Sequence, residues 1–151
     1  MDQIDYKIMS ILYDNARIPM AELSRQIAMS QPAVTERVRR LEESGVITRY
    51  RAEISAGKLG KHTTAFVLLK SNECKGFEAF AEASPEIVDL YRTSGEYNYL
   101  FKVVTATSES LADFLERCHG YGFTSTLSVL SMRFEDKNVV ARQAGANETA
   151  G

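Results

Sequence analysis

Three arginines fall within four positions of the stretch SQPAVTERVRRLEESGVI (residues 30–47): Arg37, Arg39 and Arg40. Guanidinium groups set so close together suit a polyanion, because each presents a planar fork of donors that matches phosphate oxygens or the guanine edge. On a helical wheel of ~100° per residue, Val34, Val38 and Leu41 share one side and form a stripe that would be buried. Gln31, Pro32, Thr35, Glu36, Arg39 and Arg40 then point outward together, and Arg37 borders the core. Gln can pair with adenine and Arg with guanine, while Thr offers a methyl for thymine and a hydroxyl for phosphate. A competing account is a solvated face in which Arg39 or Arg40 bridges to Glu36 or Glu43, worth a few tenths of a kcal/mol. From the arginines alone the solvated face is the better account. The elements around them reverse that preference.

Before residue 60 the apolar spacing is helical. Ile4, Ile8, Ile11 and Leu12 follow i, i+4, i+7, i+8, predicting a helix from about Asp2 to Asp14. Pro19 drives Ile18 out of helical geometry, and a short helix follows from Met20 to Ala28, anchored by Leu23 and Ile27. Ser30 is placed to cap a third helix, with Pro32 in its first turn, where a missing N–H costs nothing. Gly45 ends that helix as a left-handed cap. A short helix, a tight turn and a second helix with apolar anchors on one side predict a helix-turn-helix. VITRYRAEI (residues 46–54) reads as an extended wing whose Arg49 and Arg51, two apart on a strand, would face phosphates together.

Composition narrows the class of partner. The net charge is −2 and the pI about 5.7, so the whole chain is no polycation. Residues 1–60 nevertheless hold nine Lys/Arg against eight Asp/Glu, or +1, while the remainder holds nine against twelve, or −3. Cys74 and Cys118 are too few for a disulfide framework. MDQIDYKIMS does not resemble a signal peptide, and the longest strongly apolar run, AFVLL, cannot span a bilayer. A cytoplasmic protein without membrane contact is expected.

No residue set supports catalysis. Cys118 and His119 are adjacent, so on a helix they diverge by about 100°, and His62 and Cys74 lack ligand spacing. No glycine-rich phosphate loop or Gly-x-Ser-x-Gly element is present. The paired acids Glu42 and Glu43 sit on an exposed helix. Neither an enzyme nor a metal site is expected, and Cys118 is assigned to a core.

From His62 the periodicity changes. TTAFVLLKS reads as a strand, GFEAFAEAS as a helix ending before Pro85, and IVDLYRTS and YNYLFKVVT as strands joined through Gly95 and Glu96. SESLADFLERC is a helix capped by Ser108, with Leu111, Phe114, Leu115 and Cys118 at helical spacing. TSTLSVLSMRFE alternates as a last strand. The order βαββαβ predicts a ferredoxin-like fold, an antiparallel sheet with two helices on one face. The class is therefore α+β: a winged helix-turn-helix over residues 1–50, a linker over 51–61, a ferredoxin-like domain over 62–137, and a tail over 138–151 expected to fray.

AELSRQIAMSQPAVTERVRRLEESGVITRYRAEISAGKLG resembles the DNA-binding domain of the Lrp/AsnC (feast/famine) transcriptional regulators. RTSGEYNYLFKV resembles that family's TGxYDYLLKV element, and TSTLSVLS its final TxTxxVLS strand. The likeness runs over roughly residues 2–137. It implies double-stranded DNA as a partner, with Ser30, Gln31, Pro32, Thr35, Glu36, Arg37, Arg39, Arg40, Arg49 and Arg51 as the contact set. It also implies a homodimer that assembles into an octamer or similar ring. A small effector, an amino acid or a relative, would bind between subunits at Thr93, Ser94, Gly95, Glu96, Tyr97, Asn98 and Thr126, and no other cofactor is implied. The hydroxyls of Ser94 and Thr126 can hydrogen-bond, and Gly95 suits either close approach to a carboxylate or simply a hairpin turn at positive φ. Two departures stand out: Asn98 where the family often has Asp, and His119 and Gly122 in a turn that usually carries a Pro-Gly-Val type sequence. Two alternatives stay open: a DNA-organising architectural protein with little sequence preference, and a ligand-binding accessory protein without DNA-binding activity.

Overall fold

The computed structural model describes residues 1–138 and 140. The chain forms two compact units. One comprises Met1–Glu53 together with the stretch beginning at Phe134, and the other comprises Ile54–Arg133. The residues after Arg133 thus cluster with the first unit. Within that unit Asn138 reaches Ser10 and Val140 packs against the helical core. The expected fraying of the tail concerns residue 139 and residues 141–151, which lie outside the described residues.

The first unit is three helices around one core. α1 (Gln3–Asp14) opens with a reciprocal capping box, which satisfies amide donors that a helix start leaves unpaired. Asp2 Oδ1 accepts the amides of Ile4 and Asp5 at 3.0 Å each, and Asp5 Oδ2 accepts the amide of Asp2 at 2.9 Å. α2 (Met20–Ile27) starts behind Pro19 and ends on Ala28, which adopts a left-handed φ of 60°. α3 (Gln31–Glu43) follows after the turn. Ser30 occupies the capping position as expected, but its side chain makes no capping hydrogen bond. Gly45, at φ 73°, lies just past the helix end as expected. Ile8, Leu12, Ile18, Leu23, Ile27, Val34, Val38 and Leu41 make the core.

The expected wing strand does not form. Residues 46–55 hold no strand, and the register of the sheet pairs none of them. A β-rich composition needs a neighbouring strand to complete its ladder. Tyr50 instead donates its hydroxyl to Glu42 at 2.8 Å, and burial together with that carboxylate pushes the phenol up to about 12.

The second unit is a four-stranded antiparallel sheet in the order β2-β3-β1-β4, with β1 (Thr63–Ser71), β2 (Ile87–Arg92), β3 (Tyr99–Thr105) and β4 (Gly122–Ser128). α4 (Cys74–Ala83) and α5 (Ser108–Cys118) cover one face. Alternation sends Ala65, Val67, Leu69, Tyr99, Phe101 and Val103 into that face, against Phe77, Ala81, Leu111, Phe114 and Cys118. Phe77 is the hub, with ring centroids 4.9 Å from Tyr99 and 5.3 Å from Phe101. Burial pushes the Cys118 thiol up to about 11, in keeping with its packing role. The opposite face is not covered in the same way: Phe66, Phe123, Leu127 and Tyr91 remain exposed on it.

Several boundaries differ from expectation, among them β2, which ends at Arg92, and β3, which starts at Tyr99. α4 begins two residues earlier than Gly76. Thr107, not Ser108, caps α5, because its hydroxyl accepts the amide of Ser110 at 3.2 Å. β4 starts at Gly122 and stops at Ser128, short of the expected Glu135. Gly122 earns its place by close approach: at φ 150° it pairs with Ser71, and a Cβ there would stand 2.2 Å from the carbonyl oxygen of Lys70. We expect Gly122→Ala to destabilise the protein by at least about 1–3 kcal/mol through strain alone. Chemical denaturation followed by circular dichroism checks this; an unchanged midpoint would refute the close approach.

Candidate nucleic-acid interface and effector loop

The roll of α3 is set by Val34, Val38 and Leu41, which are 0%, 5% and 4% exposed. Gln31, Pro32, Thr35, Glu36, Arg39 and Arg40 are consequently exposed, as is Ser30 before them. Gln31, Pro32, Thr35 and Glu36 border a shallow open depression at the N-terminal half of the helix, the part of a recognition helix that reaches base edges.

The cations are not equivalent. Arg39 forks onto Glu36, with Nη2 to Oε1 at 2.7 Å and Nε to Oε2 at 2.9 Å, and also pairs with Glu43. The Arg39 hydrogen bonds hold the Glu36 carboxyl below its usual range, and the two glutamates raise the guanidinium further above its own. These pairs are about half exposed, so solvent screens them and they hold the side chains only weakly. The charge of Arg40 also helps to hold the Glu36 carboxyl down, without a hydrogen bond to it. Arg51 pairs with Asp136. Arg37 is turned away from the outward set: its Nη1 donates to Asp2 Oδ2 at 2.8 Å and Asp5 Oδ1 at 2.7 Å.

In the second unit, residues 93–98 form the connection between β2 and β3. Thr93 donates its hydroxyl to the Tyr97 carbonyl at 2.7 Å and its amide to the Asn98 carbonyl at 3.0 Å, closing the loop at its base. Ser94, Gly95 and Glu96 are exposed at its tip, with Gly95 at φ 108°. The turn therefore does require a glycine-like conformation. Tyr97 is half-buried. Lys70 stands 3.8 Å from Glu96.

Asn98 does something that its type did not announce. Its Oδ1 accepts the amide of Ser71 at 2.8 Å while its Nδ2 donates to the carbonyl of the same residue at 2.8 Å. The side chain thus extends the β1–β3 ladder beyond the Leu69–Tyr99 pair. An aspartate could accept from Ser71 but could not return the second bond, so the amide is the form that fits here. Thr126, on β4, pairs with Val67 of β1, and β1 lies between β4 and β3. Two strand spacings, roughly 10 Å, separate it from the strand that carries the loop. Among the described residues no cluster of His, Cys, Asp and Glu could hold a metal ion.

Sequence reasoning missed Asp2 and Asp5 as partners of Arg37, although an acid at the start of α1 followed three residues later by another is a capping signature. It also missed Ser71, whose hydroxyl donates to the Tyr121 carbonyl at 2.7 Å and accepts the Glu73 amide at 3.1 Å. No spacing rule announces either of those contacts.

Known proteins share both units. Residues 1–48 match a family model described as winged helix-turn-helix DNA-binding, and residues 64–139 match the Lrp/AsnC ligand binding domain. A Bacillus subtilis (strain 168) protein named as an uncharacterized HTH-type transcriptional regulator, YezC, is 44% identical over 131 residues, covering 87% of this chain and 94% of that one. The HTH-type transcriptional regulator LrpC of the same organism is 35% identical over 133 residues, covering 87% and 92%. The structure of B. subtilis LrpC superposes with a TM-score of 0.85 at 33% identity, over 91% of this chain and 99% of that one. A feast or famine regulatory protein from M. tuberculosis, solved with L-methionine, gives 0.83 at 28% identity, over 92% and 98%. With both halves matched in order, the chain belongs to the Lrp/AsnC family of transcriptional regulators.

Proposed function

We propose that this chain reads DNA sequence through α3 and that a small molecule, an amino acid or a close relative, modulates it from a site between second units of neighbouring copies. The observation that carries the reading is the buried stripe of Val34, Val38 and Leu41, which turns Gln31, Thr35, Glu36, Arg39 and Arg40 outward as one ridge. Arg49 and Arg51 flank that ridge as phosphate contacts, Arg51 by leaving Asp136. Ser30 and Pro32 shape the helix entry. Such a protein works in the cytoplasm, where its DNA is.

Charge favours sequence reading over general DNA packaging. Along α3 three arginines are matched in number by three glutamates (Glu36, Glu42, Glu43), so the helix by itself carries little net charge to attract an arbitrary backbone. Binding then depends on matched contacts to base edges. The effector reading rests on the exposed tip at Ser94, Gly95 and Glu96 and on the separation of Thr126, which a second copy would overcome. The L-methionine held by the mycobacterial relative supports the ligand class. Asn98 is committed to Ser71, so it shapes the loop and does not supply the ligand's counter-charge. Self-association uses the uncovered sheet face, where Phe66, Phe123 and Leu127 are 36%, 67% and 58% exposed. Further assembly of dimers into an octamer or similar ring is part of the same proposal.

Three outcomes test this. Duplexes selected by the protein from a random pool should bind more tightly than scrambled ones, and Arg40→Ala should reduce the salt slope of log K by about 1 as one phosphate contact is lost. Equal affinity for both duplexes would remove the claim of sequence reading. Thermal-shift screening of the twenty amino acids should single out one or a few, and Gly95→Leu should abolish the response; twenty flat traces would end the effector reading. Phe123→Lys combined with Leu127→Lys should convert the assembly to monomers in sedimentation analysis, and an unchanged mass would place the interface elsewhere.

A further inference from the structure

The Arg37 pair is unlike every other ion pair on α3. One guanidinium nitrogen bridges two carboxylates that are already occupied in the capping box of α1. Asp2 Oδ1 and Asp5 Oδ2 hold backbone amides, and the remaining oxygens, Asp2 Oδ2 and Asp5 Oδ1, both take Arg37. No carboxylate oxygen of the box is left over. The Arg37 and Asp5 side chains are 19% and 13% exposed, against about half for Arg39 and its glutamates. A phosphate would have to displace two carboxylates and strand a largely buried one, which is unfavourable.

Packing alone does not settle where α3 sits along its own axis. The apolar stripe fixes its roll, but hydrophobic contact is non-directional and sets axial position less sharply than a directional bond does. Charge-assisted hydrogen bonds are short and directional, and this pair joins residues 32 and 35 positions apart, from the start of α1 to the middle of α3. A slide of about 1 Å is close to a third of the 3.4 Å step between bases, enough to misalign side chains with base edges.

We propose that Arg37 is a positioning residue for DNA reading: clamped by the capping carboxylates of Asp2 and Asp5, it sets α3 in register for the groove and does not touch DNA itself. The inference rests on the reading of α3 as the DNA-contacting helix. It also makes a prediction of unusual sign. Removing an acid beside a DNA-binding face ordinarily strengthens binding by relieving repulsion, whereas removing either acid of the clamp should weaken it.

The test uses the full chain, a duplex selected from a random pool by the wild-type protein, and a scrambled duplex of the same composition. Arg37→Gln and Asp5→Asn should each lose about tenfold in affinity for the selected duplex, comparable to one mismatched base pair. Affinity for the scrambled duplex and the salt slope should stay unchanged, and Arg37→Lys should recover part of the loss. Tighter binding by Asp5→Asn, with the slope steepened by about 1, would make Arg37 a latent phosphate contact and overturn the proposal. An equal loss on both duplexes with a lowered Tm would reduce the clamp to a folding element, and unchanged discrimination would dismiss it. If the wild-type protein enriches no duplex at all, the DNA-reading assignment fails first and this inference falls with it.

Discussion

Burial of Val34, Val38 and Leu41 is the constraint from which the character of the first unit follows. These three side chains occupy the i, i+4, i+7 positions of α3, and a helix has only one roll that hides all three. Burying each contributes about 1.5–3 kcal/mol, far more than any exposed ion pair on the same helix. The outward ridge is therefore a by-product of packing against Ile8, Leu23 and their neighbours. Whatever α3 meets in solution, it meets with residues chosen by what its other side must bury.

The second unit obeys the same logic with a period of two. Alternation along β1 and β3 commits one face to α4 and α5 and leaves the other with large apolar groups. The connection between β2 and β3 is tied at its base by Thr93 and Asn98, so its exposed tip is mounted on a firm frame. Polar contacts here serve the sheet first. Asn98 completes a ladder, and Ser71 joins the start of α4 to the turn before β4.

Periodicity made most of this legible from the sequence. The three helices of the first unit, the order of the second and the core stripe of α3 follow from spacings of apolar residues, which depend only on local geometry. Features that depend on a distant partner did not. Residues 46–55 carry strand-forming side chains, yet no strand among the described residues pairs with them. Ser108 and Thr107 are adjacent hydroxyls, and only the backbone path decides which one caps α5. A wheel put Arg37 at the edge of the core, but acids 32 and 35 positions away were invisible to it. The two bonds from Asn98 to Ser71 were equally hidden, because Ser71 lies 27 positions earlier.

The double pairing of Arg39 with Glu36 and Glu43 has a thermodynamic corollary. When a bare cation meets DNA, sodium ions leave the duplex and scatter into bulk solvent, and that dispersal drives association. Carboxylates bonded to the same helix cannot scatter. In the proposed complex, carboxylates displaced from Arg39 would stay tethered beside the phosphates and repel them, unless an amino group on a base edge, such as that of cytosine, gave Glu36 a new partner. Under that proposal, tethered anions would oppose every encounter with the wrong sequence and lose their opposition only on the right one.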